Sequence, residues 1–508
     1  MLDSALDALT VVFSWPNILL PVAGTLIGLF VGALPGMGAA AGIALVIPLT
    51  FGWEPNQAFL LMASMIGGTS FAGSITAILI NTPGESANAA TLLDGYPMSR
   101  QGEASTALSI SAVSSAVGAI FGLVVFIAVL PLSREIILNF SYPETFMVAV
   151  IGLLVITLVS RGSMLKGLIS GGIGFLLSFV GRDLLTGEVR YTFGSLFLED
   201  GINFISVLIG LFALSEAISL ITEPRAPDAV GRLSRRAHWL QIRKGAAICL
   251  RHPRILVQSS TIGTLCGVVP GVGGSVSSFM AYAAARQSAP DPESFGTGDP
   301  RGVLASEAAN DAKDGGALLP TLAFGLPGSA VWAVILGAFL VHGIAPGREM
   351  LTDHLDTVFV IIGALLISNV LTSVIGLAAS PVLAPIARLP GTYVAPVVLV
   401  ISLVGAYAAD LKRGDILVAL FAGLGGFVLK KHGFSLIPIV IGLILGDLVE
   451  ESFGQTMLTL GGEAFVTRPL SLGILLVGLS LFVVPLLRKW RSRRTEEQQQ
   501  RSSDEHVH

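Results

Sequence analysis

The stretch from Gly32 to Gly102 carries the tightest constraint on this chain. It opens with Gly32-Ala-Leu-Pro-Gly-Met-Gly38, runs through Gly67-Gly-Thr-Ser-Phe-Ala-Gly-Ser74 and reaches Asn81-Thr-Pro-Gly-Glu-Ser-Ala-Asn88. Proline, glycine and small polar residues therefore interrupt sequence that is otherwise apolar enough to cross a membrane. Unwound backbone at membrane depth is stable only where protein buries it or where it lines a wet cavity. The expectation is a polar site built from broken helices.

Composition fixes the class. Of 508 residues, 53% are hydrophobic and only 13% charged, against about 25% charged in soluble domains. Mean hydropathy is +0.78. These values predict an all-α polytopic integral membrane protein. The net charge of −4 says less than where the charges sit. Cys249 and Cys266 show neither metal spacing nor a disulfide framework. The N-terminus lacks a basic n-region, so the first apolar run reads as a retained helix.

Apolar segments fall near 17–34, 38–51, 57–81, 104–131, 143–160, 164–181 and 201–222, after an amphipathic lead-in at 1–15. Several are shorter than the ~20 residues of a simple span. The short ones coincide with the Pro-Gly motifs, which predicts half-helices or hairpins. Residues 223–254 hold Arg225, Arg232, Arg235, Arg236, Arg243, Lys244, Arg251 and Arg254, and read as cytoplasmic by the positive-inside rule. The chain thus divides into a first membrane repeat (1–222), a basic cytoplasmic linker (223–254), a second membrane repeat (255–450), a final transmembrane helix (451–490) and a polar cytoplasmic tail (491–508).

The second half restarts the pattern of the first. Gly263-Thr-Leu-Cys-Gly-Val-Val-Pro-Gly-Val-Gly273 echoes Gly28-Leu-Phe-Val-Gly-Ala-Leu-Pro-Gly-Met-Gly38. Gly325-Leu-Pro-Gly-Ser329 echoes Asn81-Thr-Pro-Gly-Glu85, and Leu389-Pro-Gly-Thr-Tyr393 echoes Ser141-Tyr-Pro-Glu-Thr-Phe146. Three matches in one order predict an internal duplication. Charge orients the halves: the tail Arg488–Arg494, Lys430 and Lys431 fall inside, with Lys412 and Arg413 outside. Their first-half counterparts, Arg161 and Lys166, fall inside. The repeats are therefore expected to be inverted, with about 11–14 membrane segments in all. The N-terminus is expected outside, and no Lys or Arg precedes Arg100.

Helix N-termini present unpaired N–H groups and partial positive charge, which suits a carboxylate-bearing substrate. Serine, threonine and asparagine near the breaks complete the hydrogen bonding. The first-half candidates are Thr69, Ser70, Ser74, Asn81, Thr82, Ser86 and Asn88; those of the second half are Ser275, Ser277, Ser278, Asn310 and Ser329. Na⁺ could instead sit at freed carbonyls with Thr69, Asp311 or Asp314. The bland alternatives are specific. Gly38-Ala-Ala-Ala-Gly42 is a GxxxG pattern that close packing alone explains. A membrane serine often bonds only to its own helix. The charged run Ser306–Gly315 reads as a solvated loop, or as Asp311, Lys313 and Asp314 reaching a cavity. Glu54 is the only charge at the matching place in the first half.

Other chemistries are absent. Gly36-Met-Gly38 follows no strand and precedes no Gly-Lys-Ser/Thr, so nucleotide binding is rejected. There is no HExxH, nucleophile elbow or Walker motif, so no enzyme, cofactor or metal centre is expected. His342 and His354 lack metal spacing, and no nucleic-acid partner is expected.

Six strings closely resemble the large membrane subunit of the tripartite tricarboxylate transporters. They are Gly32–Gly38, Ile78–Glu85 with Gly67–Ser70, Leu93–Met98 with Gly102, Gly267–Gly274, Glu307–Ala312 and Phe324–Ser329. The resemblance covers about residues 15–490. It implies a bacterial inner-membrane permease working with a small four-helix membrane subunit and a periplasmic substrate-binding protein. It further implies uptake of citrate or another organic carboxylate, driven by an ion gradient of Na⁺ or H⁺.

The expected mechanism is alternating access, with substrate between the two Pro-Gly elements. Backbone N–H groups near Gly36, Gly84, Gly271 and Gly328 would hold carboxylates; Asn81, Ser86, Asn88, Ser275, Asn310 and Lys313 would add side-chain contacts. The helices of 143–222 and 390–450 would form a scaffold. The competing expectations are a self-sufficient ion-coupled carboxylate symporter and a passive anion channel.

Overall fold

The structure is a computed structural model that describes all residues except Pro35, 160–163, 184–185, 223–234, 387–388, 477 and 479–508. Expectations for Pro35, Arg161, the 223–234 part of the linker, the 479–490 end of the final helix and the 491–508 tail lie outside the described residues. The protein is an all-α polytopic membrane protein. Among the described residues, five helices are long and apolar enough to cross a membrane: Pro55–Ile80, Ala104–Leu138, Phe204–Thr222, Leu355–Leu383 and Gly391–Asp410. Shorter apolar helices occur at Leu19–Gly32, Ala39–Thr50, Tyr142–Leu154, Met164–Ser178 and Ala330–Val341. A two-residue antiparallel ladder pairs Gly181–Arg182 with Val189–Arg190 in the loop after Ser178.

Each half is organised on one buried central helix, Pro55–Ile80 in the first and Pro300–Phe324 in the second. Proline starts both, where its missing N–H is no loss. A left-handed residue ends both, Asn81 at φ 54° and Gly325 at φ 66°, which closes the last turn and redirects the chain into Pro-Gly. Lipid tails give no hydrophobic drive for helix pairing, so close approach must come from small residues. The central helices use this. A Cβ on Gly28 or Gly32 would collide with the Met65 or Thr69 carbonyl, and one on Gly263 or Gly267 with the Ala309 or Lys313 carbonyl.

The Pro-Gly turns repeat the same device. A Cβ on Gly84 would lie 2.9 Å from the Gly32 carbonyl oxygen, and one on Gly328 would lie 2.8 Å from that of Gly267. The 306–315 run is thus neither loop nor surface. Glu307, Asn310, Asp311, Lys313 and Asp314 are all buried within the Pro300–Phe324 helix.

The halves exchange partners. The long Ala104–Leu138 helix of the first half packs on Pro300–Phe324, and Leu355–Leu371 of the second packs on Pro55–Ile80. The lead-in helix Leu2–Phe13 packs on Leu355–Leu371, while Arg235–Arg251, inside the expected linker, packs on Ala104–Leu138.

A second group of helices flanks the central ones and shares their apolar core through Ile205, Leu208, Leu211, Ala395, Val398 and Ile439: Tyr142–Val159, Met164–Ser178, Phe204–Thr222, Gly391–Asp410, Arg413–Lys431 and Ile437–Thr459. The last of these runs across the expected boundary at 450. Within this group Met164–Ser178 and Arg413–Lys431 occupy matching places in the two halves. Lys166 Nζ donates to the His432 carbonyl at 2.6 Å, and Lys412 Nζ to Asp200 at 2.8 Å. The start of Met164–Ser178 therefore lies beside the end of Arg413–Lys431, and the start of the latter beside the loop after Leu196–Glu199.

Candidate functional site

A cavity of about 350 Å³ lies between the two helix groups, within the range of small-molecule sites. One wall comes from the central group: Glu85–Ala87 of the first Pro-Gly turn, Gly271–Val276, Lys313 and Ser329–Val331. The other comes from Leu211, Phe212, Ser215, Glu216, Lys430 and Phe434–Ile437 of the second group. Charges are placed on both walls. Lys313 Nζ donates to Asp314 at 2.9 Å, and Trp332 Nε1 donates to the other oxygen of Asp314 at 3.0 Å. Lys430 forms an ion pair with Glu216 across from it.

Two equivalent helix ends face this region, and they are not alike. In the first half Ala39–Val46 begins at Gly38. Glu85, the second residue after Pro83, brings its carboxylate to that end: a Cβ on Gly38 would lie 3.1 Å from Glu85 Oε2. Asn88 fixes Glu85 by a reciprocal capping box, with Asn88 Oδ1 accepting from the Glu85 N–H at 3.3 Å. The chain thus supplies its own carboxylate to the positive end of this helix.

In the second half the corresponding residue, second after Pro327, is Ser329. The residue is 6% exposed, and its buried Oγ has no hydrogen-bond partner. The matching helix, Gly273–Ser288, starts at the cavity wall behind Gly271, whose φ of 77° mirrors the 87° of Gly36. Asn310 Oδ1 is also buried and unpartnered, and lies against Gly274 beside the Lys313 side chain.

Beside the cavity lies a buried polar core. Glu307 is fully buried and accepts from Ser74 at 2.8 Å, Ser111 at 2.8 Å and Ser115 at 3.2 Å, and from Thr91. Ser70 donates to Asp311 at 2.7 Å and accepts from Asn310 Nδ2 at 3.0 Å. Asn88 Nδ2 donates to Ser74 Oγ at 2.8 Å and to the Ser70 carbonyl at 3.2 Å.

The sequence-derived candidates therefore separate. Ser86, Gly271, Ser275, Lys313 and Ser329 line the cavity, and Ser275 Oγ donates to Ser86 Oγ at 2.9 Å. Ser74, Asn88, Asn310 and Asp311 belong to the polar core beside it. The structure places Asn81 outside both, exposed at a helix end. Thr69 bonds the Met65 carbonyl at 2.8 Å, Ser277 that of Gly274 at 2.9 Å and Thr82 that of Ile80 at 3.2 Å. Gly84 spends its N–H on the Gly73 carbonyl at 3.3 Å, and Gly84 and Gly328 serve backbone packing. Asp314 accepts from Lys313 and Trp332, one bond on each carboxylate oxygen. Gly42 packs on Val31, as the GxxxG alternative expects.

Sequence reasoning missed Glu307, Glu85, Glu216 and Lys430. Glu307 stood inside a quoted motif but carries no spacing signal. Glu216 and Lys430 lie in different halves and meet only in the folded chain.

Residues 18–441 match the family described as the Tripartite tricarboxylate transporter TctA family. Over 481 residues the chain is 35% identical to an Agrobacterium vitis protein described as an uncharacterized 52.8 kDa protein in the TAR-I ttuC' 3' region, covering 94% of this chain and 95% of that one. A second Agrobacterium vitis protein, described as uncharacterized and in the TAR-II ttuC' 3' region, is 31% identical over 236 residues, 46% of this chain and 98% of its own length. No solved structure gives a significant match. A transport family is consistent with a non-enzymatic role. On a match that spans most of its length, the chain belongs to the tripartite tricarboxylate transporter TctA family, and that membership supports a role in tricarboxylate transport.

Proposed function

We propose that the protein takes up an organic carboxylate, citrate or a related di- or tricarboxylate, across the bacterial inner membrane by ion-coupled alternating access. A small four-helix membrane subunit and a periplasmic substrate-binding protein would be its partners, since the family is tripartite. The C-terminus would be cytoplasmic. Na⁺ or H⁺ would be the coupling ion.

One observation carries the reading: the unequal pair of helix ends. Glu85 seats a carboxylate on the first end, and the second end opens on a cavity where Ser329 replaces that glutamate. A substrate carboxylate would take the place in the second half that Glu85 takes in the first. Lys313 would then exchange Asp314 for the substrate, and the Gly271–Ser275 backbone would donate from the helix end. Ser86, Ser275 and Ser329 would complete the contacts. The start of Met164–Ser178 beside the end of its counterpart Arg413–Lys431 supports inverted repeats, and a cavity between two helix groups supports motion of one against the other.

The test is uptake of labelled di- and tricarboxylates by membranes carrying the complete transporter under imposed Na⁺ and H⁺ gradients. Accumulation against the substrate gradient is expected and a passive channel would not give it. Lys313→Ala should lower uptake by about 10- to 100-fold, the worth of one charge-assisted hydrogen bond, while inserting normally. Uptake at the wild-type rate in this variant would refute the site.

A further inference from the structure

Glu307 is the most deeply buried carboxylate of the polar core, yet the cavity reading gives it no task. No Lys, Arg or His among the described residues pairs with it. Its ligands are the hydroxyls of Ser74, Thr91, Ser111 and Ser115. A buried carboxylate without a cation is costly unless it is neutralised. A shell of hydroxyls suits neutralisation by a proton, because a hydroxyl donates to a carboxylate and turns to accept from a carboxylic acid. Backbone N–H groups or a guanidinium would hold the ionised form alone.

Ser74 shows how the shell would turn. Its Oγ donates to Glu307 at 2.8 Å and has a second acceptor ready, the Ser70 carbonyl at 3.4 Å. When a proton joins Glu307, the acid O–H donates to Ser74 Oγ and the Ser74 hydroxyl swings to Ser70. Ser74 Oγ also accepts from Asn88 Nδ2, and Asn88 Oδ1 accepts from the N–H of Glu85, which lines the substrate cavity. Three hydrogen bonds thus connect Glu307 with the cavity wall.

We propose that Glu307 is a proton-binding site and that its proton is the coupling ion, sensed at the cavity through Ser74, Asn88 and Glu85. The charged neighbours are few. Asp311, Lys313 and Asp314 lie further along its own helix, Asp94 sits on Ala89–Arg100, and Glu85 stands at the end of the relay. The Pro55–Ile80 helix carries no charged residue. On Ala104–Leu138, Arg134 and Glu135 lie about five turns beyond Ser115. Arg254 on Pro253–Val268 and Arg286 on Gly273–Ser288 are exposed.

The proposal rests on the transport reading only for the word coupling, and the proton can be read without substrate. Infrared spectra of the full chain in lipid, titrated through the neutral range, should contain a carboxylic-acid carbonyl band. Glu307→Gln should remove it and Asp311→Asn should spare it. Ser74→Ala deletes a donor to the carboxylate and should move the midpoint to higher pH, a readout that does not require the glutamine variant to fold. An unchanged titration in Glu307→Gln or in Ser74→Ala overturns the site. So does a carboxylate band that shifts with Na⁺ in place of choline, since the ligand would then be sodium. In the complete transporter, Glu307→Gln should keep citrate exchange and lose accumulation driven by a pH gradient; retained accumulation overturns the coupling role. If the titration behaves as expected and the wild type moves no carboxylate, the transport reading fails by itself.

Discussion

At the scale of the residue, the difference between Glu85 and Ser329 says most about what the chain binds. The two stand at the same place after Pro-Gly, one with a carboxylate and one with an unpartnered hydroxyl. Ser329→Glu should therefore fill the anion position with the chain's own carboxylate, and citrate uptake should fall to background while expression and insertion persist. Ser329→Ala removes only a neutral hydrogen bond, typically about 1 kcal/mol, and should lower uptake several-fold at most. Transport by Ser329→Glu at the Ser329→Ala level would place the substrate elsewhere. Part of this site was legible in the sequence. Ser86, Ser275, Lys313 and Ser329 flank Pro-Gly breaks or stand as polar residues in apolar sequence, and both signals have physical causes. Asn81 stands away from the cavity as a left-handed helix end, a place that asparagine beside Pro-Gly serves equally well. Glu307 gave no local signal, because what defines it is hydroxyls from three other helices.

At the scale of the element, glycine spacing sets how closely the helices approach, and the duplication makes the prediction come in pairs. Gly32→Val and Gly267→Val put branched side chains against the Thr69 and Lys313 carbonyls. Overpacking of a tight core costs about 1–3 kcal/mol, and backbone atoms cannot yield as a side chain can. Both variants should lose thermal stability in detergent by similar amounts, read as the unfolding midpoint by thiol-free light scattering or intrinsic fluorescence. Gly172→Val is the control, since a Cβ there meets nothing within 4 Å. Equal stability of Gly267→Val and Gly172→Val would show that the seam is not what holds the helices. The central helices were well marked in sequence by their Pro starts and Pro-Gly ends. The 306–315 run was not, because a stretch of five ionisable or amide side chains reads as solvated until its partners on other helices are known.

At the scale of the whole molecule, the cavity wall divides along the two helix groups, and that division has a mechanical consequence. In the proposed mode of binding, substrate contacts would come from the central group through Lys313, Ser275 and Ser329, with Leu211–Glu216, Lys430 and Phe434–Ile437 covering them from the second. For the cavity to open to either side, the central group must move past its cover. The sequence led to scaffold helices at 143–222 and 390–450, but not to which of their residues line the wall, since those residues meet the site only after the halves have packed. A cross-link between the groups should stop transport where one within a group does not. With Cys249 and Cys266 replaced by alanine, the pair Ser275→Cys and Ser435→Cys joins opposite walls under a short bifunctional reagent. The pair Asn56→Cys and Asp356→Cys lies inside the central group, where the native side chains are 2.9 Å apart. Joining the first pair should abolish uptake and reduction should restore it, whereas joining the second should leave uptake near the unlinked rate. Full uptake with the walls joined would mean that substrate passes without relative motion of the groups, and the alternating-access mechanism would fall with it.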